Sequence, residues 1–389
     1  MNFKSVIILI LIFLLVTFPK IEEVKAQAKT IVVPDDFVSI QDAIDNALEG
    51  DTVFVKSGIY DNLTLEVNKS LSLIGEDPKT TILLGPNLGF PNINTVISFN
   101  SNDVKISGFT ITAENMGIGG TGNRTQIVGN IITLNRPIVV SGYYNNITGN
   151  DMTNYFYMQD AVKFNGSFSI IARNTIGNGM LGIDISGSFN TISENNLTET
   201  QNKIFITGDS NTISWNNGKN GNDGIKIESG SHNDVISNNM TNINFSGIEI
   251  YNGHNNTVYD NNLANNGFGI HVGGREYWAE NNTFYNNNFV NNTQQALVDE
   301  NTSYVNYWDN REKGNYWSNY NGTDNNGDGI GDEPYIIDEN NQDNYPFINP
   351  IDMETIPEFP SWTLLATGFF VIFLVSIAFR QRIKQGRKK

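Results

Sequence analysis

IVGNII (127–132), ITGNDM (147–152), IARNTI (171–176), ISENNL (192–197), ISWNNG (213–218), VISNNM (235–240), VYDNNL (258–263) and FYNNNF (284–289) are one phrase written eight times. VKISGF (104–109) is a degenerate first copy, and the leading residues stand 20 to 26 positions apart. Between copies lies a second short apolar segment: GIDI (182–185), KIFI (203–206), GIKI (224–227), GIEI (247–250) and GIHV (269–272). A period of this size, built from short alternating strands with no helical pattern, signals a solenoid. No single turn can bury its inward apolar residues, but turns stacked about 4.8 Å apart give every strand a parallel partner and close a continuous core. The expected fold is all-β: a right-handed parallel β-helix of about ten rungs.

The recurring Asn130, Asn150, Asn174, Asn195, Asn216, Asn238, Asn261 and Asn287 fall at one bend of each rung. Stacked there, their amides can hydrogen-bond along the axis as in cross-β stacks, and Asn also tolerates tight-turn backbone. Sixty of the 389 residues are Asn, and such a ladder accounts for much of that excess. Strict alternation of Ile, Val and Leu with polar residues argues against a disordered low-complexity tract.

Upstream, residues 29–103 hold an N-terminal cap and the first rungs. Ile40, Ala43, Ile44, Ala47 and Leu48 follow helical spacing, Ser39 with Asp42 forms a cap signal, and Gly50 is placed to stop the helix. A short helix here covers the open end of the core. Regular repeats span 104–300. The aromatic segment NYWDNREKGNYWSNY (306–320) breaks the period within a C-terminal cap at 301–349.

The ends address the protein. Residues 1–28 read as a signal peptide, with Lys4, the apolar run 5–18 and Ala26-Gln27-Ala28, or as an uncleaved signal anchor. After a spacer at 350–360, residues 361–379 read as a transmembrane helix, since Trp362 to Phe379 is an uncharged apolar run of 18 residues. The tail at 380–389 carries six basic and no acidic residues, which places it in the cytoplasm and the β-helix outside the cell. There are no cysteines, so disulfides and thiolate metal sites are excluded. Between residues 29 and 360, 15 Lys and Arg against 39 Asp and Glu give 15 − 39 = −24. That charge repels nucleic acid, attracts divalent cations, and disfavours polyanionic glycans unless a metal bridges the two.

With these features the sequence resembles the NosD-type, pectin-lyase-like β-helix proteins, the carbohydrate-binding and sugar-hydrolysis repeats. IVVPDDFVSIQDAIDNALEGDTVFVKSGIY (31–60) resembles their cap and first strand, and the Asn-Asn rungs their repeats. GNYWSNYNGTDNNGDGIGDEPYIIDENNQDNYPFI (314–348) resembles their C-terminal motif most specifically. The spacer and apolar run are similar to the anchors of archaeal cell-surface proteins. The resemblance implies the fold and leaves the activity open.

Three constellations carry possible chemistry. Asp324, Asn326, Asp328, Ile330 through its carbonyl, and Asp332 match positions 1, 3, 5, 7 and 9 of an EF-hand-like loop, which predicts a structural Ca²⁺. Tyr335 stands where the twelfth position calls for a bidentate Glu. Counting rungs also stacks Lys163, Asp184, Phe205, Lys226, Glu249 and His271 on one outer face, with Ser186, Thr207, Glu228 and Tyr251 in a parallel row. Longer turns at 154–160 and 273–282 flank that face, where Tyr155, Tyr157, Arg275, Tyr277 and Trp278 could meet sugar rings. Glu228 and Glu249 are candidates for a pair of glycosidase carboxylates, and Lys226 or Arg275 for a lyase base. Outward positions of any exposed strand are charged, so the same row also suits a binding surface. The ligands for copper are poor: His232 and His254 are offset by one residue on successive rungs, His271 lies on another face, and Met152 and Met240 occupy core positions. Thirteen Asn-x-Ser/Thr sequons occur, including Asn62, Asn146, Asn196, Asn255 and Asn291.

The expectation is an exported, membrane-anchored β-helix that binds polysaccharide. The alternatives are a polysaccharide lyase or glycoside hydrolase of the same fold, a structural or adhesive envelope protein, and a NosD-like copper-site assembly factor.

Overall fold

The computed structural model describes residues 27–86, 95–112, 116–133, 136–153, 160–198, 200–274, 279–299 and 305–353. The signal segment up to residue 26, the aromatic turn residues 155, 157 and 275–278, and the apolar run 361–379 lie outside them. Among the described residues no helix is long and apolar enough to cross a membrane.

The chain winds as a right-handed parallel solenoid of about eleven turns. Three strands per turn build three parallel sheets of twelve strands each. The first face runs from Thr30–Val33 to Thr283–Tyr285 and the second from Gly58–Tyr60 to Tyr316–Trp317. The third, wide face runs from Leu65–Val67 to Gln294–Val298, with strands up to nine residues long. Inward residues stack in register: Ile192, Ile213, Val235, Val258 and Phe284 descend the first face with no exposed surface. Burying each such side chain stabilises the fold by about 1.5–3 kcal/mol. Met152 and Met240 are wholly buried among them.

The expected Asn ladder is present and runs further than its repeats suggested. In Asn216, Oδ1 accepts from the backbone N–H and the amide of Asn195, at 3.0 and 2.9 Å. Its Nδ2 donates to Ile192 O at 2.8 Å and to Asn238 Oδ1 at 2.9 Å. All four hydrogen-bonding valences of the amide are met inside the wall, which only Asn provides at this length. Asp would lose both donors and stack charge on charge. The same pattern continues through Asn261 and Asn287 to Asn315.

A second ladder, five residues upstream in each rung and nine in the last, was not anticipated. It links Asn190, Asn211, Asn233, Asn256, Asn282 and Asn306, with Ser169 substituting once. The tight-turn geometry attributed to the ladder residues belongs instead to the residue before each one. Arg173, Glu194, Trp215, Ser237 and Asp260 have φ between 53° and 59°. The ladder side chains, anchored by four bonds each, hold these bends in place.

At the N-terminus, α1 (Ile40–Asn46) buries Ile40, Ala43 and Ile44 against the first turn, and Ser39 Oγ accepts from Asp42 N at 3.3 Å. The helix ends before Leu48, which is 58% exposed, contrary to the helical spacing that included it. At the other end, Trp308 stacks on Phe284 (4.5 Å between centroids) and Trp317 on Phe289 (4.3 Å). The 306–320 segment therefore caps the core. It also supplies Asn306 and Asn315, so it breaks the spacing without breaking the ladders. Both ladders finish on an acceptor. Asn315 N donates to Asp343 Oδ2 at 2.7 Å, and Asn306 N to Asn341 Oδ1 at 3.3 Å. The indoles of Trp317 and Trp308 donate to the same two side chains. The last position has no further rung to donate to, so a carboxylate suits it. Burial pushes the Asp343 carboxyl up to about 7, against the indole and backbone N–H groups that hold it down.

Asn216→Ala is expected to lower the unfolding free energy by about 3 kcal/mol in chemical denaturation, because it orphans buried donors and acceptors. Asn217→Ala on the second face, where the side chain is partly exposed and its amide contacts only those of Asn196 and Asn239, is expected to cost less than about 1 kcal/mol. A raised carboxyl pKa stabilises the fold fully below the unfolded value of 3.8 and loses that contribution as pH rises towards 7. Melting temperatures between pH 4 and 8 should fall more in the parent than in Asp343→Asn, which carries no such proton.

Candidate functional site

Alternation sends every second residue of the wide face outward. The register places Lys163, Asp184, Phe205, Lys226, Glu249 and His271 in one unbroken row, as the rung count required, and extends it to Leu297. The parallel row differs. Ser186 pairs with Thr207, but the register then slips and Thr207 faces Ser229. Glu228 is therefore displaced at a bulge, and the expected alignment of Glu228 with Thr207 is not formed. The extra residue re-aims its carboxylate towards the first row.

Two groups of charges result. In the upper one Lys163 Nζ lies 2.6 Å from Asp184 Oδ2 and 3.5 Å from Asp160 Oδ2. The hydrogen bond to Asp184 raises the Lys163 pKa, while burial raises that of Asp160. In the lower group Lys226 Nζ lies 2.9 Å from Glu228 Oε2 and 3.3 Å from Glu249 Oε1, and 4.8 Å above the ring of Tyr251. Burial works against the charge on Lys226, but the bonds and charges of Glu228 and Glu249 outweigh it and raise its pKa. His271 follows, with Nδ1 3.8 Å from Glu249 Oε1 and Nε2 3.0 Å from Asp299 Oδ1. Asp223 sits beside Glu249, and its carboxyl is raised first by burial and then by that neighbour. Phe268 tilts against the imidazole at 5.8 Å.

Chemically, this is a half-buried strip of two groups in which a lysine ammonium is flanked by carboxylates, with Phe205 between them. The ammonium of Lys226 occupies the space between Glu228 and Glu249, and being held protonated it is a donor rather than a base. Asp160, Asp223 and Asp299 escaped the sequence reading. Asp299 was within reach, because it lies two residues beyond Leu297 with the same outward parity. Asp223 was hidden by its place ahead of the GIKI segment. Arg275, Tyr277 and Trp278 lie outside the described residues.

Elsewhere, Ser231 rather than His232 pairs with His254, and His232 occupies a left-handed bend with φ 58°. The 324–332 loop is folded on itself. Asp324 accepts from the N–H groups of Gly327, Asp328 and Gly329, and Ile330 N donates to Asp328 Oδ1. Asp332 Oδ2 accepts from Asn325 N at 2.8 Å. Among the described residues no group of three or more His, Cys, Asp or Glu side chains is arranged to hold a metal. Asn326 is bonded within the loop as well: its Oδ1 accepts from Asp328 N at 3.0 Å and its amide donates to Asp328 Oδ2 at 2.9 Å.

Comparison with known proteins follows the architecture. The family model of the periplasmic copper-binding protein NosD matches residues 157–322. No curated protein matches the sequence. The catalytic domain of a GH87 α-1,3-glucanase in complex with nigerose is similar with a TM-score of 0.51 and 14% identity, over 75% of this chain and 69% of that one. A variant of the PL6 family alginate lyase AlyGC gives 0.48 and 14%, over 74% of this chain and 51% of that one, so the chain spans about half its length. The A-module of the mannuronan C-5 epimerase AlgE6 from Azotobacter vinelandii gives 0.45 and 11%, over 70% and 94%. The chain thus has a right-handed parallel β-solenoid fold similar to that of the glucanase domain, and residues 157–322 are similar to the NosD family.

Proposed function

We propose that this is an exported, membrane-tethered β-helix whose wide face binds polysaccharide along the Lys163–His271 row. The observation that carries the reading is the row itself: five outward polar groups and Phe205 in register over six successive rungs. The rungs repeat about every 4.8 Å, close to the length of one sugar ring in an extended chain. A linear glycan laid along the axis would meet one donor–acceptor set per residue, with Phe205, Tyr251 and Phe268 offering ring faces. Carboxylates outnumber cations along the strip, which favours a neutral or amino sugar over a polyanion. Export and tethering rest on the apolar end segments and the basic tail, and the absence of cysteine is compatible with either side of a membrane.

Binding fits the geometry better than cleavage by Glu228 and Glu249, because Lys226 fills the gap where a hydrolytic water or a glycosidic oxygen would have to sit. The cleavage reading is kept by a different observation: His271, held between Asp299 and Glu249, is an imidazole of the kind that moves protons. The 324–332 loop is proposed to hold Ca²⁺ through Asp324, Asn326, Asp328, the Ile330 carbonyl and Asp332, stiffening the cap.

On a glycan array carrying neutral, amino and acidic polysaccharides, the full-length chain should retain a neutral or amino polymer. Lys226→Met with Asp184→Asn should weaken that retention by about tenfold or more; an array with no retained polymer rejects the binding reading. If the site is hydrolytic, new reducing ends should form and vanish in His271→Ala. Adding Ca²⁺ at a hundredfold excess over its Kd should stabilise the chain by about 2.7 kcal/mol, visible as a higher Tm that Asp328→Ala abolishes.

A further inference from the structure

A cleft lies at the C-terminal end of the solenoid, where the last turn meets the cap. It has a volume of 480 Å³ and is lined by residues 291–296, 318–319 and 335–337. In a chain with 39 acidic residues between positions 29 and 360, none of the lining residues is Asp, Glu, Lys, Arg or His. Burial raises the Tyr335 pKa, so this phenol also stays neutral. What the cleft offers instead are amides and hydroxyls. Asn291, Gln294 and Asn319 are exposed at its rim. Tyr335 Oη donates to Asn319 Oδ1 at 3.2 Å, which fixes the amide and leaves its Nδ2 donors directed away from that bond. Ser318 Oγ accepts from Asn291 N and from Gln295 Nε2, both at 2.8 Å, tying the two walls together. The Tyr335 ring is itself held flat against Trp317, 4.2 Å between centroids and 8° from parallel.

We infer that this cleft takes a neutral sugar of one or two rings. Paired donor and acceptor on one planar group is the complement of two adjacent sugar hydroxyls, and a charged ligand would find no counter-ion here. The volume lies within the range of small-molecule sites. The sugar could come from two sources. Asn291 begins an Asn-x-Thr sequon at the rim, in a left-handed bend with φ 52°, so a glycan carried by the chain itself could fold into the cleft. A free oligosaccharide end could enter equally well. This inference does not depend on the wide-face row: loss of polymer retention there with the cleft response intact would remove that reading and leave this one.

The test uses the full-length chain in detergent, produced in a host that does not N-glycosylate. It is titrated with cellobiose, maltose, mannobiose and chitobiose, with digalacturonate as the charged control, and followed by tryptophan fluorescence because Tyr335 rests on Trp317. At least one neutral disaccharide should bind and digalacturonate should not. Gln294→Ala with Asn319→Ala should weaken binding by about tenfold or more at unchanged Tm, whereas Lys226→Met should leave the response intact. A second arm uses chain from a glycosylating host, with the Asn291 peptide analysed by mass spectrometry. If the chain's own glycan fills the cleft, Asn291 is modified and free disaccharide binds only to Asn291→Gln. If the ligand is external, the parent chain binds it as before. No response to any neutral disaccharide in unglycosylated chain, or an equal response in the double variant, overturns the inference.

Discussion

Everything in this molecule depends on satisfying the side-chain amides that run up the inside of its wall. A solenoid must bend three times per turn, and at each bend the backbone leaves the strand ladder and exposes polar groups to the core side. The asparagines at Asn195, Asn216 and Asn238 answer that demand from both directions, each accepting from the rung before and donating to the rung after. Since an unpaired buried group costs about 1–3 kcal/mol, the two ladders fix the register of the whole stack. With register fixed, outward residues of the wide face fall into rows. The candidate site is therefore a consequence of the bends.

Much of this was legible in the sequence because solenoid contacts are local in period. A reader who finds Asn216 and Asn238 in the same phrase has already found two neighbours in space. The Lys163–His271 row followed from arithmetic alone and holds in every rung. What counting could not supply was the one-residue slip at Ile206/Thr207, which shifts Glu228 out of its row. A bulge changes register without changing composition or period noticeably. The second ladder was hidden for another reason: its members share rungs rich in other asparagines, and Ser169 interrupts it. The apolar spacing carries the cap helix two residues too far, to Leu48, although nothing is left there for it to cover.

The charged strip and the uncharged cleft present different chemistry. Along the wide face Lys163, Lys226 and His271 are each flanked by carboxylates, so any ligand must displace or share existing ion pairs. Such a surface discriminates by geometry more than by charge. At the end of the stack Asn319 and Tyr335 present fixed neutral dipoles instead. The two settings suit contact with a polymer along its length and with a sugar at its end.

The amide ladders have a direction. Every link passes its donors the same way, and the series stops at Asp343 and Asn341, side chains that receive from the last rung and have no following rung to supply. A turn duplicated anywhere between Asn190 and Asn287 would find the correct partner above and below it, while one appended after the terminal pair would find none. The height of this rod is thus free to change by insertion in its middle, with both ends left untouched.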